Sequence, residues 1–130
     1  MAAPETGGAR ERVRTFAQSD FDRFAALTGD DNPIHTDAAY AAASVWERTV
    51  AHGMFLYSCL CGLLEEAFPG AVQVSQDLRF PAPTYTGEAM TLRVAPAGVE
   101  DGLTVAAVEV VDPRGTVTCT GEARLRMGAA

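Results

Sequence analysis

The chain has no lysine: all ten of its basic residues are arginine. No side-chain amine is available for Schiff-base chemistry, and any anionic ligand has to be held by arginine or by backbone N–H groups. Positive charge as a whole is scarce. Ten basic against seventeen acidic residues give a formal charge of −7 over 130 residues, the opposite of the basic stripe that phosphate-backbone binding requires, so nucleic acid is not an expected partner. Cysteine is sparse too. Cys59, Cys61 and Cys119 are an odd number with neither a disulfide-framework pattern nor a zinc-ribbon spacing, and they read as reduced thiols of a cytoplasmic protein. Residues 1–8 contain no apolar stretch, so no secretory signal is expected. The longest apolar run, residues 54–64, is too short to span a bilayer and suits a buried helix, so no membrane association is expected.

With 48% hydrophobic and 21% charged residues, the composition is that of a globular chain. Its length suits a single domain over 1–130, with residues 1–9 a frayed start. A strand is expected over 10–16. Ser19 then reads as an N-cap, with Phe21, Phe24, Ala25 and Thr28 on one face of a short helix and Gly29 as its stop. Residues 30–35 read as a loop, because Pro33 cannot continue a helix and pushes Asn32 to an extended conformation. A short Ala-rich helix follows to about Ser44. A long helix over 53–68 is closed by Pro69-Gly70, and being apolar or small on almost every side up to Leu64 it should be wrapped by protein.

From residue 71 onward the hydrophobic period changes to two. Val72, Val74, Leu78 and Phe80 alternate with polar residues, as do Met90, Leu92 and Val94, and then Val117, Cys119, Gly121, Ala123 and Leu125. Residues 103–111 are apolar on both phases, as in a strand covered on both faces. Breaks are expected at 81–87, 96–102 and 112–115. One strand, helices including a long buried one, and four closely connected strands define an α+β chain: a curved antiparallel sheet around one helix.

The most specific run is Gly29-Asp30-Asp31-Asn32-Pro33-Ile34-His35, followed by Ala51-His52-Gly53-Met54 and by Phe80-Pro81-Ala82-Pro83 ahead of Gly87. In these residues the chain resembles the MaoC-like (R)-specific enoyl-CoA hydratases, with their Gly-Asp-x-Asn-Pro-x-His signature and a His-Gly-Met opening the central helix. The resemblance implies a hot-dog fold, a homodimer, and reversible syn addition of water to a trans-2-enoyl thioester of CoA or of an acyl-carrier protein. It also implies that Asp30 and His35 are the catalytic pair, and that Gly53 gives an oxyanion N–H. The serine of the hydratases' central helix is Cys61 here. Asn32, His52, Cys61 and Phe80 are read as the substrate-binding set.

The chemistry of these residue types agrees. Hydration at C3 needs a base for the water proton, an acid for C2 and stabilisation of charge on the thioester oxygen. A carboxylate and an imidazole on a proline-stiffened loop can share one water, and the N-terminus of a buried helix offers unpaired N–H groups beside a glycine that leaves room for a carbonyl. Each residue also has a plainer role open to it: Asp30 as a turn carboxylate, His35 or His52 as a structural histidine, Asn32 as support for the His35 ring. No ligand spacing supports a metal, and hydration calls for no redox cofactor. Two other readings are a hot-dog acyl thioesterase and the partner subunit of a heterodimeric dehydratase; the intact hydratase loop argues against the first and the presence of both Asp30 and His35 against the second.

Overall fold

The computed structural model describes residues 8–128. Along the chain the elements are β1 (Arg10–Thr15), α1 (Gln18–Thr28), α2 (Pro33–Thr36), α3 (Ala38–Ala42), α4 (Gly53–Ala67), β2 (Val72–Gln76), β3 (Ala89–Glu100), β4 (Leu103–Val111) and β5 (Val117–Arg126). The strands form one five-stranded sheet in the order β1-β3-β4-β5-β2, and every pairing is antiparallel. Leu56, Leu60, Leu63 and Leu64 of α4 are buried against Leu92, Val94, Val108, Val110 and Leu125 of the sheet. A sheet wrapped on one long helix is the hot-dog architecture. Of the frayed start expected over 1–9, residues 1–7 lie outside the described residues.

Several local expectations are corrected. Ser19 is inside α1, and the N-cap is Ala17. The Ala17 N–H donates to the Asp20 carboxylate at 2.8 Å, so the acidic residue of the first turn satisfies the helix end without a capping hydroxyl. Residues 30–35 are not loop throughout: Pro33 is the first residue of α2, where its missing N–H costs nothing. The predicted break at 96–102 is confined to the turn, because β3 runs through Pro96 and re-registers across a bulge between Pro96 and Gly98. Pro96 still stands opposite Ala106 of β4 but lies past Val94, the last residue of β3 paired with β1, so on the β1 side no partner strand requires an N–H there. Asp101 and Gly102, with φ of 50° and 77°, then make the two-residue turn into β4 that the strand twist favours.

The alternation expected from residue 71 is inverted in β2. Val72 and Val74 are exposed, whereas Gln73 and Gln76 are half-buried. The helix α4 is not wrapped on all sides, since Met54, Ser58 and Gly62 are exposed along one stripe. In the single chain β4 buries Ala106, Val108 and Val110 in the core, and on its other phase Val105 is buried while Leu103, Ala107 and Val111 are half-buried. Beyond β2 the chain crosses β5 closely. Arg79 bridges Thr120, its N–H donating at 2.8 Å, and a Cβ at Gly121 would run into the Asp77 carbonyl. This crossing delivers residues 80–84 to the N-terminus of α4.

Candidate active site

The loop after α1 is set by Gly29, whose φ of 82° lets its N–H close on the Ala25 carbonyl at 2.8 Å and turn the chain into Asp30. Two residues on, the Asn32 side chain accepts from the Ile34 N–H at 3.1 Å, capping the single turn that carries His35. The His35 ring is fixed at its Nδ1, 2.7 Å from the Val50 carbonyl. A carbonyl only accepts, so the proton sits on Nδ1 and the Nε2 lone pair is left as a base. Gln18 supports the same turn, donating to the His35 carbonyl at 2.7 Å while accepting from the Thr49 hydroxyl at 2.6 Å.

His52, immediately before α4, is 1% exposed. Its Nε2 donates to the Asp30 carbonyl at 2.9 Å, its ring stacks on His35 at 3.8 Å, and Phe24 meets it edge-on at 4.9 Å. The buried Nδ1 has no hydrogen-bond partner. Burial, with a smaller contribution from the neighbouring His35, pushes the imidazolium of His52 below its ordinary 6.5, against the opposing pull of the Asp30 carbonyl and carboxylate. His52 is therefore a neutral ring that holds the Asp30 backbone in place.

The unfolded chain protonates this residue below about 6.5 while the folded chain resists, so His52 contributes stability that is complete above that value and is lost as pH falls through its lowered folded value. His52→Gln keeps an amide donor and removes the titration. The fall in Tm on acidification from about pH 7 to about pH 5 should be shallower in the variant, as scanning calorimetry across that range would show; an unchanged slope would mean that His52 titrates normally.

One ring nitrogen of each histidine and a carboxylate oxygen of Asp30 all lie within 4.8 Å of one another. This spacing lets a single water reach the carboxylate and His35 together. It fits a metal poorly, because the two rings stack at an interplanar angle of 23°. Their in-plane lone pairs run side by side instead of converging on one cation.

These groups open onto a cavity of about 500 Å³ walled by Trp46, Phe80, Thr84 and Thr118 among others. The first N–H groups of α4 meet it. Phe55 and Leu56 bond back to the His52 carbonyl, but the N–H groups of Gly53 and Met54 have no protein partner among the described residues, and both residues line the cavity. The Phe80 ring lies on Gly53 so closely that a Cβ there would stand 2.6 Å from its Cζ. A carboxylate, an imidazole with one ring nitrogen tied to a backbone carbonyl and free helix N–H groups thus line one largely apolar space, groups of the kind that adding or removing water beside a carbonyl calls for.

A family model described as a MaoC like domain matches residues 2–117. The chain belongs to the MaoC-like domain family. It is 32% identical over 127 residues to the (R)-specific enoyl-CoA hydratase of Aeromonas caviae, covering 95% of each chain. It is 34% identical over 84 residues to the mitochondrial 3-hydroxyacyl-[acyl-carrier-protein] dehydratase of Arabidopsis thaliana, covering 65% of this chain and 51% of the plant protein. Among solved structures, the A. caviae (R)-hydratase superposes with a TM-score of 0.87 at 29% identity, over 95% of this chain and 96% of the other. The R-hydratase PhaJ1 of Pseudomonas aeruginosa gives 0.85 at 28% identity, over 96% and 83%.

On this MaoC-like framework Asp30, His35, His52, Gly53 and Phe80 share one cavity. Asn32 and Cys61 do not line it. Asn32 is the cap of α2. Cys61 lies about two turns along α4, on a separate pocket of about 30 Å³ with Leu64 and Phe68, and is more than packing: its Sγ accepts from Gln73 Nε2 at 3.3 Å, and Gln73 Oε1 accepts from the Tyr57 hydroxyl at 2.7 Å. Among the arginines of the sheet, Arg93 is paired with Glu11 and Glu109, and Arg124 with Glu100. Sequence reasoning missed Gln18, Trp46 and the buried Thr84–Thr118 hydroxyl pair at 2.8 Å. Two threonines on an expected break and an expected strand carry no local sign that they meet.

Proposed function

We propose that the chain is a hydro-lyase that reversibly adds water to trans-2-enoyl thioesters, giving (3R)-hydroxyacyl thioesters. The observation that carries this is the shared cavity: an Asp30 carboxylate oxygen and a His35 ring nitrogen within 4.8 Å of each other, in a space also lined by Gly53 and Met54, whose N–H groups at the start of α4 are unpaired. In the hydration direction His35 takes a proton from water while the water oxygen bonds to C3. The C2–C3 π pair moves toward the thioester oxygen, where the Gly53 N–H receives the developing charge. The Asp30–His35 pair then returns a proton to C2 on the same face, so one water is consumed and no electron is gained or lost. The named activities of the A. caviae and Arabidopsis relatives support this reading.

The test is incubation with crotonyl-CoA and with a crotonyl-carrier-protein thioester, followed by chiral chromatography. (3R)-3-hydroxybutyryl thioester is the expected product. The (3S) product, or release of crotonic acid as a thioesterase would give, overturns the proposal.

We further propose a homodimer in the cytoplasm. The outer strand β2 leaves one edge unpaired among the described residues and shows Val72 and Val74 to solvent, 56% and 45% exposed, an edge that a second copy would extend through a two-fold contact. Light scattering should give about twice the 13.7 kDa chain mass; an active monomer at micromolar concentration would contradict the assembly. The free thiols of Cys59, Cys61 and Cys119 suit a reducing compartment.

A further inference from the structure

The loop between α3 and α4, residues 43–52, places an indole at the mouth of the cavity. Trp46 lines it and is nonetheless 41% exposed. A large aromatic left half-open is ordinary on a surface and less so on a loop held as firmly as this one. From one side Ser44 Oγ accepts from the Trp46 N–H at 3.1 Å and donates to the Ala41 carbonyl at 2.6 Å. From the other, Tyr85 donates its hydroxyl to the Trp46 carbonyl at 3.0 Å, and the Arg48 guanidinium lies 3.7 Å over the Tyr85 ring. Val50 bridges Tyr85 across the same seam. Between these anchors Glu47, a non-glycine residue, holds a φ of 66°, a conformation that persists only where its surroundings impose it.

We propose that Trp46 is a substrate-contacting residue that covers the acyl-thioester arm of the ligand, and that Tyr85 is the positioning residue that holds it there. The inference rests on reading the cavity as a thioester site and extends it to a wall that the catalytic motif does not contain. A space of about 500 Å³ is of the size of an ordinary small-molecule pocket. It accommodates an acyl group and the thiol end of a pantetheine arm, whereas a nucleotide would lie outside. The indole and the Phe80 ring, both on the cavity wall, supply apolar surface that costs little conformational entropy to present.

Trp46 is the chain's one tryptophan, so its fluorescence reports this loop alone. The wild-type protein is titrated with butyryl-CoA, which is saturated and cannot be hydrated, with the butyryl thioester of N-acetylcysteamine, which has no nucleotide, and with free CoA; calorimetry records binding in parallel. Both thioesters should change the emission saturably and to a similar amplitude, and free CoA, which lacks the acyl group, should change it less. Tyr85→Phe should raise KM for crotonyl-CoA about fivefold, as for loss of one hydrogen bond, with kcat within about twofold and Tm unchanged. Trp46→Ala should raise KM about tenfold or more. Butyryl thioester binding with silent tryptophan emission, or equal loss of kcat and Tm in Tyr85→Phe, overturns the inference and leaves the thioester reading intact. Binding that moves the emission without any hydration of crotonyl-CoA overturns the reaction and leaves Trp46 in its role. Absence of thioester binding removes both.

Discussion

Asp30→Asn and His35→Gln should each lower kcat for hydration of crotonyl-CoA by about 10²–10⁴, with the double variant little worse than the worse single one. The reason is geometric. His35 is held by the Val50 carbonyl and Asp30 by the bond from His52 to its own carbonyl, so neither can compensate for the other by moving. The His35 ring presents one basic nitrogen, and glutamine at that position presents none. Asparagine at position 30 keeps the shape and loses the charge that holds a proton for C2. Both positions are partly or fully open to solvent, so circular dichroism and Tm should stay near wild type. Stopped-flow or steady-state kinetics on folded variants decides the matter. Near-wild-type turnover in either single variant, or fully multiplicative losses in the double, would show that the two do not act on one water.

Gly53→Ala should cost at least about 10² in kcat/KM, and replacing Phe80 by Ala in the same chain should recover part of it. An added Cβ at position 53 meets the tip of the Phe80 ring at 2.6 Å, a distance no real side chain holds. Phe80 is half-exposed and can swing away, but its ring then leaves the cavity wall, while the methyl group occupies ground in front of the free Gly53 N–H. Shortening Phe80 relieves the first effect and not the second. Alanine favours a helix more than glycine does, so α4 itself should not weaken. Full recovery in the double variant would place the whole effect in the ring contact and none in the N–H. An unaffected single variant would show that the thioester oxygen is held elsewhere.

How far the molecule is legible from its residues varies along the chain. Gly29 marks the end of α1 because only a residue tolerant of positive φ makes that stop cheaply, and Asp101-Gly102 marks a hairpin for the same reason. The alternation in β5 holds at Cys119, Ala123 and Leu125, which meet the core, and fails at Thr118, buried on the other phase against Thr84. In β2 the same rule misleads. Gln73 turns inward because Tyr57 and Cys61 of α4 satisfy its amide, and those partners, 16 and 12 positions away, leave no trace in a local window. Pro33 reads as a breaker when the chain is followed forward and acts as a helix opener once Asn32 is seen to cap behind it. The cluster of Asp30, His35 and Gly53 is visible in the motif. Gln18 and Trp46 are not, because their part depends on where Thr49 and Tyr85 come to lie.

The stacking of His35 on His52 limits what the site can store. Each ring has one nitrogen tied to a backbone carbonyl, and a charge on either opposes a charge on the other across 3.8 Å. The stack is thus a poor place for two charges at once, so in the proposed reaction only one of the two rings would carry the proton that water gives up.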